Sequence, residues 1–223
     1  MIIVIEGVDG SGKQTQAMML YEFLVSMKKN VKIQSFPNYK NDSSLFVKKY
    51  LNGEFGGLNS LTPFQASVFF ALDRFCTMKE YTNFLNENGI LILDRYVSSN
   101  EVYQSCKIND QENRAEFVKE LRHFEFDNLN LPKPDVTVFL DLKPELSLKL
   151  RENRKKLKSE TKQDIHEKNL EFLEKSYKTY KDCAKFNKWQ TIKCYNSKGV
   201  LNKNEIQAKI QKIVLKIINK REK

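Results

Sequence analysis

The chain has 223 residues, room for one domain with a sizeable core and too few for several. Apolar residues make up 40%, which excludes the disordered class, and no apolar run reaches the ~20 residues of a membrane-spanning helix. The net charge of +10 favours anionic partners, either nucleic acid or a phosphate-bearing small molecule, and does not choose between them.

IIVIE (2–6) reads as a buried strand. The opening MIIVIEG has no basic n-region and no small-residue cleavage site, so it is not a signal peptide. GVDGSGKQT (7–15) follows, and a helix is expected over about 13–27. VKIQSF (31–36) is a second strand. Residues 62–89 read as one long helix. Thr62 is its N-cap, Pro63 its first residue and Gln65 the partner of a capping box, with Asn88-Gly89 closing it. ILIL (90–93) is a strand ending at Asp94, and VTVFL (136–140) one ending at Asp141. WQTIKCY (189–195) is the last strand, with Trp189 in the core, and a helix runs from about 203 to the basic C-terminus. Strands alternating with helices predict an α/β fold: a five-stranded parallel sheet with helices on both faces. Residues 149–163, KLRENRKKLKSETKQ, are dense in Lys and Arg and read as a short, mobile basic lid on a single domain spanning 1–223. Cys76, Cys106, Cys183 and Cys194 form no CxxC pair or metal spacing, which suits a reducing cytoplasm.

The glycine loop carries the first chemistry. Its pattern is Gly, any four, Gly-Lys, in the strand-to-helix context where backbone N–H groups and a helix N-terminus meet an anion. Gly7, Asp9, Gly10, Ser11, Gly12, Lys13, Gln14 and Thr15 are therefore candidates for ATP binding, with Lys13 reaching the β/γ-phosphates. Gln14 stands where a hydroxyl ordinarily meets Mg²⁺, and Thr15 is displaced by about 100° around the helix. The grip on Mg²⁺ then falls to a carboxylate: Asp9 in the loop, or Asp94 or Asp141 at strand ends. Asp94 is the better choice because Arg95, an anion-binding fork, follows it.

The remaining signals describe a second substrate. Phe70 and Arg74 share one helix face and suit stacking on a base and donating to its edge. Arg95 can clamp a phosphate, and Asn100 and Tyr103 fall on one face just beyond it. FPNY (36–39) ends the second strand with Phe36, a proline and Tyr39. All lie at carboxyl ends of strands, where such sheets bind ligands. His123 and His166 sit in charged helical contexts and need no catalytic role. A nucleic-acid binder is the rival, but the lysines are scattered and no recognition motif is present.

With these residues in order, the chain resembles the thymidylate kinases of the P-loop nucleoside monophosphate kinase group. The likeness rests on GVDGSGKQTQ (7–16), FPNY (36–39), FFALDR (69–74), DRY with SN and YQ (94–104), PDVTVFLDLKPELSLKLR (134–151) and DIHEKNLEFLEKSY (164–177). It implies a P-loop NTPase-type three-layer fold of strand order 2-3-1-4-5. The reaction implied is transfer of the γ-phosphoryl group of ATP to dTMP with Mg²⁺, by a homodimer that binds neither nucleic acid nor membrane. It implies Phe70 on the thymine face, Arg74 on O4, and Asn100 near the opposite base edge. It further implies Tyr103 under the deoxyribose, where its bulk would crowd a 2′-hydroxyl, and Asp9, Tyr39 and Arg95 around the sugar and monophosphate. Asp164 and Glu167 would lie near the acceptor. The group also needs an arginine on the transferring phosphoryl. Gly10 and Ser11 leave none in the loop, so Arg151 or Arg154 in the lid must supply it, and Arg154 lies nearer the lid's tip. Ile165 departs from the arginine many members carry there.

Overall fold

The structure is a computed structural model that describes residues 1–158 and 170–221, with side chains described for 1–152 and 170–221. Its centre is β1 (Ile2–Glu6), paired in parallel with β3 (Ile90–Asp94) on one side and β4 (Val136–Asp141) on the other. β2 (Val31–Ser35) and β5 (Gln190–Lys193) complete the sheet in the order β2-β3-β1-β4-β5. The expected order and strand count hold.

Alternation along β1 explains the layers. Ile3 and Ile5 point to one face, where they pack with Leu20 and Leu24 of α1 (Lys13–Ser26) and Ile210 and Val214 of α9 (Lys203–Arg221). Ile2 and Val4 point to the other, against Met78, Phe84, Leu91 and Leu93. Both faces are therefore dry, which is why these strands read as unbroken apolar runs. Ile5 aligns with Asp94, so the loop after β1 and the Asp94-Arg95 pair leave the sheet at the same edge.

The expected long helix is two helices. α3 (Pro63–Lys79) starts as the sequence predicts: the Thr62 hydroxyl accepts from the Gln65 backbone at 3.2 Å, and the Gln65 side chain accepts from Thr62 N–H at 2.9 Å. It then tightens, as Glu80 N–H and Tyr81 N–H donate to carbonyls only three residues back. A short α4 (Thr82–Asn86) follows. Thr82, Asn83 and Tyr81 are poor helix formers, and the turn lets the Tyr81 hydroxyl donate to Gln34 while Phe84 packs on the sheet.

Three other stretches differ from the sequence expectation. α7 (Pro144–Lys158) continues through 149–158, so that part of the expected lid is helix, as its Leu, Lys, Arg and Glu content favours. β5 begins after Trp189, which is half-buried rather than central. The end of the expected last strand turns instead into a small hairpin, Tyr195–Asn196 against Gly199–Val200. Four helices complete the frame around the site: α2 (Leu45–Leu51), α5 (Val97–Ser105), α6 (Gln111–Arg122) and α8 (Leu170–Phe186). α6 runs directly into a π-turn, His123–Asn128.

Candidate active site

The loop from β1 into α1 has the backbone of an anion cradle. Gly10 and Gly12 lie at φ 83° and 90°, left-handed values that side chains resist. Gly10 is also crowded: a Cβ there would meet Arg151 Cγ at 2.6 Å and the Ser147 carbonyl at 2.8 Å. Lys13 is buried, and its Nζ donates to Val8 O at 3.0 Å, with Asp9 at 3.9 Å. Burial first, then the Arg95 charge, pushes the Lys13 pKa down to about 8, against the pull of Asp9, Asp94 and Glu6. Gln14 and Thr15 are both exposed, and only Gln14 lines the cleft described below.

Opposite Lys13, Arg95 enters from the end of β3 in the left-handed region, φ 69°. A residue without glycine's freedom held there is strained backbone, which clusters at functional sites. Its guanidinium pairs with Asp9 and lies 5.3 Å from the centre of the Tyr103 ring. Burial works against the Arg95 charge, yet Asp9, Tyr103, Tyr180 and Asp94 together hold its pKa well above the usual value. The Tyr103 hydroxyl donates to Asp9 Oδ2 at 3.1 Å. Asp9 is therefore gripped by Arg95 and Tyr103, with Lys13 alongside. Asp94 differs: its Oδ1 is buried with no hydrogen-bond partner among the described residues.

Beneath this cluster lies a residue the sequence reading passed over. Glu6, fully buried, accepts from Tyr96 N–H at 3.1 Å, Ser98 Oγ at 2.7 Å, Ser99 Oγ at 2.9 Å and Tyr180 OH at 2.8 Å. Ser99 in turn accepts from Arg95 Nη1 at 3.4 Å. A carboxylate closing an otherwise apolar strand has to be paired to be tolerated, and that was the available signal.

An open cleft of about 650 Å³ leads from Asp9 and Arg95 to the far wall. That is within the range of small-ligand sites, roughly 300–1,000 Å³. It is lined by Phe36, Tyr39, Phe70, Arg74, Asp94, Asn100 and Tyr103 among others, so the expected acceptor residues that are described share one crevice. Phe70 is braced edge-on by Tyr50, 6.0 Å between ring centres. The chain at 38–43 is held by Asp73, which accepts from Asn38 N–H and Ser43 Oγ, both at 2.8 Å. Arg74 Nε and Nη2 donate to the two oxygens of buried Glu125 at 2.7 and 2.6 Å. Asn100 Nδ2 donates to Glu125 Oε1 at 2.9 Å and to Ser67 O at 3.0 Å. Glu125 sits on the π-turn and was also missed. A single glutamate between two phenylalanines in HFEF was its only mark.

Arg151 lays its stem on Gly10 from α7 and is half-buried. The side chain of Arg154, and Asp164, His166 and Glu167, lie outside what is described. His123 is exposed and pairs with Asp127, away from the cleft.

Known proteins resemble this chain in sequence and in fold. The family model described as "Thymidylate kinase" matches residues 5–219. A thymidylate kinase of Mycobacterium tuberculosis (strain CDC 1551 / Oshkosh) is 31% identical over 186 residues, covering 82% of this chain and 86% of that protein. One from Plasmodium falciparum (isolate 3D7) is 30% identical over 190 residues, covering 85% and 80%. The solved structure of thymidylate kinase from Candida albicans superposes with a TM-score of 0.72 at 23% identity, over 98% of this chain and 92% of that one, which supports the fold. A phosphate loop, a paired Asp9–Arg95 mouth and a family match over nearly the whole length converge: this chain belongs to the thymidylate kinase family.

Proposed function

We propose that the two substrates meet at this cleft, ATP phosphates on the 7–15 loop beside it and dTMP along the wall from Phe36 to Tyr103. The reaction is ATP-dependent phosphorylation of dTMP to dTDP, as family membership gives. The observation that carries the placement is the cluster of Lys13, Asp9 and Arg95 at the mouth of a cleft whose far end bears Phe70, Arg74 and Asn100.

The attacking oxygen belongs to an anionic monophosphate, so no strong base is needed. What is needed is to hold two polyanions in line and spread their charge. Arg95 binds the dTMP phosphate, which competes with Asp9 for the guanidinium. Lys13 leaves Val8 O for the ATP phosphates. Asp9, released in part, orients the sugar with Tyr103 and Tyr39. Asp94 and Asp9 would hold Mg²⁺, and the unpartnered, buried Asp94 Oδ1 is the better-fitting ligand. A magnesium ion, when bound, neutralises phosphate oxygens and tolerates several water ligands, which makes a hydroxyl at position 14 dispensable. The segment 149–163 acts as the lid that excludes water over ATP. Exposed Leu45, Phe46 and Leu72 suit a homodimer through the long-helix face, and we place the protein in the cytoplasm.

The test is ADP release with ATP and Mg²⁺, comparing dTMP, dUMP, dCMP, dGMP, AMP and thymidine as acceptors. Clear preference for dTMP is expected. Preference for dCMP, or for unphosphorylated thymidine, would remove the base pocket or the Arg95 role respectively.

Tyr103 carries a narrower expectation. Bulk against a 2′-hydroxyl would by itself leave Tyr103→Phe nearly silent. The hydroxyl's bond to the Asp9 carboxylate changes that, since such bonds contribute about 1.5–3 kcal/mol. Tyr103→Phe should therefore cost roughly tenfold or more in kcat/KM with deoxyribose selection retained. Tyr103→Ala should also raise turnover of the ribonucleotide relative to dTMP. A Tyr103→Phe enzyme equal to wild type would reduce Tyr103 to a steric role.

A further inference from the structure

We infer that Glu125, which lies behind the cleft lining rather than in it, sets the hydrogen-bond polarity of the base pocket and so selects a 4-keto pyrimidine over a 4-amino one. The inference rests on the cleft reading above. Arg74 and Asn100 reach the cleft from different helices, α3 and α5, and Glu125 on the π-turn binds both. Each residue then has a fixed remainder. Arg74 spends one hydrogen each of Nε and Nη2 on the carboxylate, and what remains, on Nη1 and Nη2, can only donate. Asn100 spends its Nδ2 hydrogens on Glu125 Oε1 and on the Ser67 carbonyl. Both are acceptors only, so the amide cannot be turned round, and Oδ1, an acceptor, is its remaining polar atom.

A donor beside an acceptor matches thymine, whose O4 accepts and whose N3–H donates. Cytosine presents the opposite pair, an amine that donates and an N3 that accepts, so both contacts would fail. Glu125 enforces this through its charge and its two oxygens together. It lies at 0% exposure and Arg74 at 2%, so water cannot take over its role. The wider π-turn brings Glu125 to this point, with Leu129 N–H donating five residues back to Phe124 O at 2.9 Å.

Glu125→Gln tests this. The new amide has one acceptor oxygen where the carboxylate had two, and its N–H₂ faces existing donors. With that N–H₂ toward Asn100, the Asn100 amide turns to accept from it and presents its own N–H₂ to the cleft; with it toward Arg74, the guanidinium loses its Nε bond, so either way one of the two fixed contacts to the 4-keto edge is released. The measurements are kcat/KM for dTMP, the inhibition constant of dCMP against dTMP, and KM for ATP. We expect kcat/KM for dTMP to fall by roughly ten- to a hundredfold while dCMP binds no more weakly than before, with ATP unaffected. A merely structural role would weaken dTMP and dCMP by the same factor, and that result overturns the inference. Glu125→Asp, which keeps the buried charge beside Arg74 but is too short to serve Asn100 as well, guards against loss of the fold. It should show the same narrowing of the dTMP-to-dCMP ratio, and an unchanged ratio counts against the inference equally. A wild-type chain with no dTMP turnover would remove the inference together with the cleft reading. Wild-type turnover with an unmoved ratio removes the inference alone.

Discussion

Lys13→Ala should lower kcat/KM for ATP by about 10³-fold, the cost of losing one preorganised group at a site of developing charge. The same variant should be no less stable at neutral pH than the wild type. The Lys13 pKa near 8 is the reason for both. In the free protein the ammonium is buried, hydrogen-bonded to Val8 O with Asp9 alongside, and shares its surroundings with the Arg95 cation. Below pH 8 it is charged in both folded and unfolded chains, and the folded state carries the full cost of burying it. Between pH 8 and 10.5 the folded chain has released that proton and the unfolded chain has not, so stability rises with pH across that window. The strain stored is on the order of 3 kcal/mol. ATP removes it by supplying phosphate charge. Hence kcat/KM for ATP should fall as pH rises through about 8, while the corresponding limb in kcat lies higher, because the bound polyanion restores the lysine's proton affinity. Thermal unfolding at pH 7 and pH 9.5, beside steady-state kinetics, checks each part. A Lys13→Ala protein that turns over normally would remove the phosphate-loop assignment. One that is inactive and unfolded at pH 7 would mean the lysine holds the loop together.

The sequence exposed what local chemistry writes in runs. Three of the five strands, β1, β3 and β4, carry buried, nearly continuous apolar stretches, and the glycines at 7, 10 and 12 announce a turn before a helix. Thr62, Pro63 and Gln65 fix a helix start to the residue. What stayed hidden depends on contacts distant in sequence. Glu6 is satisfied by Tyr180, 174 residues away, and Glu125 by Arg74, 51 residues away. No periodicity marks a carboxylate whose partners come from other elements. The break after Lys79 escaped for a similar reason. Residues 62–89 are compatible with one helix in isolation, and it is Phe84 seating on the sheet and Tyr81 reaching Gln34 that favour the tighter turn. The π-turn after Arg122 has no composition signature, yet it carries the residue that orients the base pocket.

The arginine that meets the transferring phosphoryl is the last assignment the geometry sharpens. Position in the sequence favours Arg154, one turn nearer the lid's tip. The structure brings Arg151 to the phosphate loop, its stem against Gly10 so closely that a Cβ there would overlap it. Gly10 is thus glycine for two reasons, a left-handed backbone and room for this arginine. Arg151 is then expected to be the catalytic member. Arg151→Ala should cut kcat by about 10³-fold, the lower end for such arginines, with KM for dTMP changed only a few-fold, because the guanidinium acts on charge that appears in the transition state. Packing and charge must be separated, since alanine removes both. Arg151→Met keeps the stem over Gly10 and deletes the fork. A loss in Arg151→Met equal to that in Arg151→Ala assigns the effect to charge, whereas a near-wild-type Arg151→Met makes Arg151 a strut for the loop. Arg154→Ala is the counterpart. Residues 151 and 154 lie three apart in α7, so both belong to the segment proposed above as the lid. If kcat collapses in Arg154→Ala while Arg151→Met stays near wild type, the charge on the transferring group comes from one turn further along α7.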